Sequence, residues 1–185
     1  IRFCITGMLK NDAYSASVSR LVSGHNSILL TGYVDEATKR HLYLNALALV
    51  SPSLVEGFGI PVLDAACLGL TTIASPSASH QEIQALHDFE QHILLCSTLQ
   101  TSDWASAMRL VTLKQEQQQA ALDEQALRRH LIRMRSERIL RYRRYQQLID
   151  QSFDTTICEL IQAESGPPPR SHTPSRLQVA PRAMS

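Results

Sequence analysis

The sequence predicts an α/β fold, with a Rossmann-like parallel sheet carrying helices on both faces, followed by a long C-terminal helix and a disordered tail. Short apolar runs alternate with amphipathic segments up to about residue 114, and glycine or polar turns separate them. This alternation favours parallel strands joined by right-handed crossover helices. We expect the α/β domain at residues 1–114, an arginine-rich helical extension at 115–163, and the disordered tail at 164–185.

The predicted strands are apolar runs that end at turn residues. They lie at residues 3–6, 28–31, 47–50, 71–74 and 92–96. The predicted helices between them begin at capping residues or at proline. They lie at residues 14–22, 35–46 with Asp35 as N-cap, 61–69 from Pro61 to Gly69, 81–86, and from Ser102 or Asp103 onward. Ligands of such a sheet bind at the carboxyl ends of its strands.

The C-terminal part changes character at about residue 115. A glutamine-rich stretch leads into an arginine-dense helix that we expect to end near residue 150, with a separate short helix at 155–161. From residue 164 the sequence lacks both periodicity and apolar density, so we expect disorder there.

Composition limits the function. The net charge of +1 argues against a dedicated nucleic-acid-binding protein. Cys4, Cys67 and Cys96 are expected to be buried free thiols of a reducing compartment, because the four cysteines lack metal-ligand spacing. The seven histidines show no zinc-binding pattern either, so no metal site is expected. With neither a signal peptide nor an apolar span, we expect a cytoplasmic location, or one peripheral to the inner face of a membrane.

The central stretch of the chain is a loop and short helix at residues 51–69. An apolar strand is followed by a loop that contains Glu56, Gly57 and Gly59. Pro61 then begins a helix that carries Asp64. The N-terminus of such a helix favours anions, and glycine lets backbone approach a ligand closely. Ionised carboxylates accept hydrogen bonds only, so two of them beside an anion site suggest sugar or ribose hydroxyls as donors.

This stretch carries a recognisable motif. It reads Ser53-x-x-Glu56-Gly57-Phe58-Gly59-Ile60-Pro61-x-Leu63-Asp64-Ala65-x-x-x-Gly69. It resembles the E-x7-E signature of retaining GT-B glycosyltransferases of the group 1, or family 4, type. The resemblance covers roughly residues 1–112 and corresponds to the C-terminal, donor-binding domain. The second acid of the family motif is usually Glu where this chain has Asp64, which is shorter by one methylene.

The resemblance implies a nucleotide-diphosphate sugar as donor substrate, no cofactor and no metal. Glu56 is then the catalytic residue, which positions the transferred sugar near its anomeric end without acting as a general base. Asp64 would hold the ribose hydroxyls. The remaining donor-binding residues would offer backbone N–H groups, close backbone approach or a surface for the base: Gly7, Val34, Gly57, Phe58, Gly59 and Ile60.

Structural interpretations of the same residues stay open. Glu56 could cap the Pro61 helix, Asp64 could be an exposed acid in its first turns, and the Phe58 ring could belong to the core. Val34 could simply pack, and Gly7 could be an ordinary turn glycine. Glu82 matches a family acid, and a helix-cap role is the alternative for it.

The arginine-rich segment at residues 128–144, from Arg128 to Arg144, has two interpretations. Its apolar stripe includes Met134, Tyr142 and either Ile139 or Leu140, with arginines around the rest of the helix. Such a helix could bind an anionic partner, either a membrane, where lipid-linked acceptors reside, or nucleic acid. Alternatively its arginines pair with acids of another domain.

The resemblance implies that an acceptor-binding domain, and the first strand and helix of the donor domain, precede this sequence. The acceptor would be a glycan or a lipid-linked saccharide, held through that missing domain, and this fragment would be inactive without it. Two alternatives remain open. One is a degenerate, non-catalytic donor domain acting in protein or membrane interaction, and the other is a UDP-sugar epimerase of the same architecture.

Overall fold

A computed structural model of the protein describes residues 1–86, 89–97 and 99–164. The chain divides into two compact units, residues 1–145 and 146–185. The elements in chain order are β1 (Phe3–Thr6), α1 (Ala13–Val22), β2 (Ile28–Gly32), α2 (Glu36–Asn45), β3 (Ala48–Ser51), α3 (Ile60–Cys67), β4 (Thr71–Ala74), α4 (Ala78–Ala85), a 3-10 turn (Glu90–His92), β5 (Ile93–Leu95), α5 (Thr101–Ala120) and α6 (Glu124–Glu164).

All strand pairs among the described residues are parallel, which confirms the predicted α/β class. They form two hydrogen-bonded pieces, one of order β1-β2 and one of order β3-β4-β5. Phe3 lies opposite Ile28 in the first piece, and Val50 lies opposite Ile73 in the second. The Rossmann-like sheet is therefore present as a pair of strands and a triplet of strands.

Helices cover both faces of the three-stranded piece. Successive strand residues point to opposite faces, and in β4 Ala74 packs in one cluster with Val62 of α3, while Ile73 packs in another with Trp104 of α5. The α3 residues Val62, Ala65 and Ala66 are completely buried. The main core of the described residues thus lies around β4.

The β1-α1-β2 part is much more open. All four residues of β1 are exposed, and α1 buries none of its residues. The described cysteines are free, as predicted, and Cys96 is buried. The expectation that Cys4 is buried was wrong, because the apolar run around it forms a strand with β2 as its partner and little packed above it.

Several helix boundaries differ from the predictions. Helix α4 begins at Ala78 because Ser77 caps it, with its side chain accepting a hydrogen bond from the His80 N–H. Helix α5 has Gln100 at its N-cap position and runs through the glutamine-rich stretch to Ala120. Helix α6 is continuous, so the separate short helix expected at 155–161 was wrong. No glycine or proline interrupts residues 124–164. The predicted disordered tail beyond residue 164 lies outside the described residues.

Within the first unit, the N-terminal part of helix α6 contacts the end of α2 through Arg138. This side chain is 8% exposed, and its Nη1 donates hydrogen bonds to the carbonyl oxygens of Tyr43, Leu44 and Ala46 at 3.3, 3.1 and 2.9 Å. These carbonyls belong to the C-terminal end of α2 and the residue after it, where helical acceptors lack partners within the helix. Arg138 therefore caps α2 with a side chain from far along the sequence.

Part of the apolar stripe of α6 packs on the same side of the helix as Arg138. Tyr142 packs against the cluster of Ala65, Leu68 and Leu70, and Ile139 is half-buried, whereas Leu140 is 57% exposed. The stripe therefore contains Ile139 and not Leu140. No helix in the described part of the chain is both long enough and apolar enough to cross a bilayer.

We predict that Arg138→Met destabilises the protein, because it removes a charged donor from three carbonyl oxygens in a buried position. The expected loss in unfolding free energy is about 2 kcal/mol, the range for hydrogen bonds to charged groups. Urea denaturation followed by circular dichroism measures it. The exposed Arg135 on the same helix is the control, and Arg135→Met should leave stability nearly unchanged. Equal effects of the two substitutions would contradict the capping role.

Candidate functional site

The loop between β3 and α3 ends in a helix start without a side-chain cap. Gly59 occupies the N-cap position in the left-handed conformation, with φ of 79°, and no side chain accepts a hydrogen bond there. The N–H groups of Val62 and Leu63 both donate to the Gly59 carbonyl oxygen, at 2.9 and 3.1 Å. Pro61 has no N–H. The backbone donors left for a ligand at this helix start are those of Phe58, Gly59 and Ile60.

Glu56 is free in the described structure. Its side chain is half-buried and makes no hydrogen bond or ion pair with any described residue. Since no side chain caps α3, the interpretation of Glu56 as the cap of the Pro61 helix was wrong. Gly57, the next residue, has open space around its Cα on the side where a Cβ would stand. The carboxylate thus remains available to an incoming group.

Apolar side chains surround Glu56 on the surface. Leu54, Val55, Phe58 and Ile60 are 67%, 88%, 62% and 57% exposed. The Phe58 ring therefore does not belong to the core, and the loop is not sealed under other side chains. Clustered exposed apolar residues at a loop indicate a surface that another molecule or domain covers.

Asp64 lies in the second turn of α3 and faces α2. Its side chain is 21% exposed, and its Oδ2 lies 3.8 Å from Lys39 Nζ, which also contacts Glu36 Oε2 at 2.8 Å. Burial raises the pKa of the Asp64 carboxyl; Lys39 acts in the opposite direction, and Glu36 adds to the increase. Asp64 is therefore not the exposed first-turn acid of the structural interpretation.

Tyr43 completes the surroundings of Asp64. Its hydroxyl donates a hydrogen bond to the Pro61 carbonyl oxygen at 3.5 Å. Burial, with smaller contributions from the nearby carboxylates Asp64 and Glu36, raises the pKa of Tyr43 to about 12. Lys39 and Tyr43 were missed at the level of sequence, because their position beside Asp64 depends on how α2 packs against α3.

Gly7 and Val34 lie at the carboxyl ends of β1 and β2. Gly7 has φ of 131° and donates its N–H to the Gly32 carbonyl oxygen at 2.9 Å. It lines a pocket of about 400 Å³ together with Thr6 and Gly32. Neither Glu56 nor Asp64 lines this pocket. Val34 is half-buried and directly precedes Asp35, the N-cap of α2.

One further interpretation has a clear outcome within the described residues. Glu82 is exposed in the middle of α4, whose N-cap is Ser77, so the helix-cap interpretation of Glu82 was wrong. No group of three or more metal-ligating side chains occurs in the described ranges.

The comparison with protein families identifies the class. The family model described as glycosyl transferases group 1 matches residues 1–112, which is more than half of the 185 residues. The chain belongs to this family of glycosyl transferases. No curated protein matches the chain. Glycosyl transfer is therefore the general activity of the class, and a sugar donor and an acceptor are its general partners.

We predict that Asp64→Asn stabilises the protein at neutral pH. The folded-state pKa of Asp64 is raised by burial, so the protonated carboxyl favours the folded state, and that contribution is lost as the pH rises through the folded-state pKa. The amide avoids burying a charge. Thermal unfolding should show a higher Tm for Asp64→Asn at about pH 7 and no advantage at about pH 3, where the wild-type carboxyl is also neutral.

The control for this prediction is Asp150→Asn, a substitution at an exposed acid of α6. It should change the Tm little at either pH. A lower Tm for Asp64→Asn at neutral pH would show that the ion pair with Lys39 outweighs the burial of the Asp64 charge.

Proposed function

We propose that this chain is the donor-binding part of a retaining, metal-independent GT-B glycosyltransferase. It binds a nucleotide-diphosphate sugar, and the sugar is transferred to an acceptor hydroxyl with its anomeric configuration retained. The observation that carries this proposal is the uncapped start of α3 next to the unengaged Glu56. The residues on either side of the buried Gly59, Phe58 and Ile60, are exposed, and the Glu56 carboxylate in the same loop has no partner among the described residues.

The leaving diphosphate would be stabilised by this helix start. Negative charge develops on the diphosphate during transfer, and oriented backbone N–H groups stabilise it without having to reorganise. The N–H groups of Phe58, Gly59 and Ile60 are the donors in this proposal, and Gly57 allows the ligand to come close. Glu56 accepts hydrogen bonds from hydroxyls of the transferred sugar and orients its anomeric carbon.

Asp64 would accept hydrogen bonds from the ribose hydroxyls of the nucleotide. Support comes from its incomplete burial and from its position beside α2, the helix that follows Val34. In this proposal Val34 contacts the base, and Gly7 lets the diphosphate or the sugar approach the end of β1. Lys39 holds Asp64 before the nucleotide binds. On binding, the ribose hydroxyls replace Lys39 as the partner of the Asp64 carboxylate.

The two-piece sheet supports the further proposal that a preceding segment completes the domain. In a doubly wound sheet of order 3-2-1-4-5-6, strand 1 lies between strands 2 and 4. If the five described strands are strands 2 to 6, the sheet without strand 1 consists of a pair and a triplet. That arrangement matches the β1-β2 and β3-β4-β5 pieces. An acceptor-binding domain would precede that strand and supply the glycan or lipid-linked acceptor.

Membrane contact by the arginine-rich helix is a subsidiary proposal. Arg138 is buried on α2 and is therefore unavailable to lipid, whereas Arg141 is exposed although its guanidinium lies against Gly69. Exposed arginines such as Arg129 and Arg143 remain for an anionic surface on the inner face of a membrane. Co-sedimentation with phosphatidylglycerol vesicles tests this contact.

Binding of nucleotide is the first test of the proposal. The chain should bind UDP or GDP weakly in isothermal titration or by ligand-observed NMR, and Asp64→Glu should preserve or improve that affinity because it restores the longer acid. A degenerate, non-catalytic domain should bind neither nucleotide. A marked loss of affinity in Asp64→Glu would show that Asp64 does not hold the ribose.

Turnover in the complete enzyme is the second test. Glu56→Ala should lower kcat by roughly a hundredfold or more, since it removes a group that orients the reacting sugar. The circular dichroism spectrum and the Tm should change little, because Glu56 makes no hydrogen bond or ion pair with a described residue. The control is Glu116→Ala at an exposed position of α5. Wild-type turnover in Glu56→Ala would overturn the assignment, and product analysis separates transfer from epimerisation.

A further inference from the structure

Two buried polar side chains lie beneath the loop that carries Glu56. Ser75 follows β4, His80 lies in α4, and both are completely buried. The Ser75 hydroxyl donates a hydrogen bond to the carbonyl oxygen of Ser53, near the start of the loop. The first part of the loop is thus tied to the residue that follows the neighbouring strand.

The His80 ring lies under the other end of the loop. A Cβ placed on Gly59 would be 3.0 Å from His80 Cδ2 and 3.3 Å from His80 Nε2, so the ring packs directly against the Gly59 backbone. On its other side His80 Nδ1 lies 2.9 Å from the Ser75 carbonyl oxygen and 3.4 Å from the Ser75 hydroxyl oxygen. A carbonyl oxygen only accepts hydrogen bonds, so Nδ1 carries the proton.

The remaining nitrogen of this ring has no partner. His80 Nε2 is buried and makes no hydrogen bond to any described group. With the proton on Nδ1, Nε2 is an acceptor. Leaving a buried acceptor unpaired costs free energy, so packing alone would favour an apolar side chain at this position. Packing alone therefore does not explain why a histidine occupies this buried position.

We propose that Ser75 and His80 are positioning residues for the Glu56 loop. Ser75 holds the beginning of the loop at Ser53, and His80 supports the end of the loop at Gly59. The hydrogen bond from His80 Nδ1 to the Ser75 carbonyl oxygen links these two contacts. The unpaired Nε2 lies on the side of the ring that faces the Gly59 backbone, so the ring supports the end of the loop by close packing. Only the nucleotide-affinity measurement of this inference rests on the proposed function; the measurement of loop order does not.

The loop needs such support because its own side chains provide little. Leu54, Val55 and Phe58 point largely to solvent, and Glu56 makes no hydrogen bond or ion pair with a described residue. An unsupported loop would have to be ordered each time a donor binds, and that ordering costs binding free energy. A loop held at both ends avoids most of this cost.

The experiment measures loop order in the full chain by ¹⁵N NMR relaxation. In the wild type we expect backbone order parameters for Val55, Glu56 and Phe58 of about 0.85, the rigid range. In Ser75→Ala and in His80→Leu they should fall below about 0.6, the flexible range. His80→Asn retains an N–H donor near Nδ1 and should restore part of the order.

Nucleotide affinity is the second readout. Ser75→Ala and His80→Leu should each weaken UDP or GDP binding by about tenfold, the effect of losing one well-formed hydrogen bond. The double substitution should weaken binding less than the product of the two single effects, because the residues act as one unit.

The matched control is Ser77→Ala, which removes the N-cap of the helix that carries His80. It should lower the Tm but leave the loop order parameters at wild-type values. The proposal is overturned by a flexible loop in the wild type, by unchanged loop order in both Ser75→Ala and His80→Leu, or by an equal loss of order in Ser77→Ala. If the wild type binds neither nucleotide, the proposed function fails, while the order parameters still decide whether these residues position the loop.

Discussion

The close packing of α3 against β4 is the constraint on which the rest of the candidate site depends. Val62 and Ala66 are completely buried in one cluster with Ala74 of β4, and both alanine side chains of this contact are single methyl groups. Small side chains bring a helix axis near a sheet, and a close-packed interior tolerates little displacement. Once α3 is held in this way, its start at Gly59 and the direction of Asp64 are set. The loop before it must then turn sharply, which Gly59 permits by adopting a positive φ.

The two acids of the motif lie in different environments although eight residues separate them. Glu56 is on an open, apolar-rimmed loop without a partner, whereas Asp64 is largely buried between α3 and α2 with Lys39 beside it. A carboxylate without a partner is available to a substrate at once. For the paired and partly desolvated Asp64, burial raises the pKa and the nearby Lys39 acts in the opposite direction.

The arginines of α6 divide into two groups by position on the helix. Arg138 and Arg141 point toward the α/β unit, where they meet the end of α2 and the turn at Gly69, and both contacts hold sequence-distant elements together. Arg133 and Glu137 instead form an exposed pair at 2.9 Å, which contributes little to stability. The arginines of α6 that lie near the apolar stripe therefore have a structural role, whereas those on the opposite face of the helix are solvated.

Local signals in the sequence determined the class of the fold and placed the start of α3 within one residue, at Pro61 where the helix begins at Ile60, because glycine, proline and hydrophobic periodicity act within a few residues. They also identified the family, which the match over residues 1–112 confirms. Tertiary structure decided that Lys39 pairs with Asp64, that His80 supports Gly59 and that Arg138 caps α2, since each contact joins residues that are distant in sequence. It also decided that Cys4 is exposed, because an apolar strand is buried only where other elements cover it.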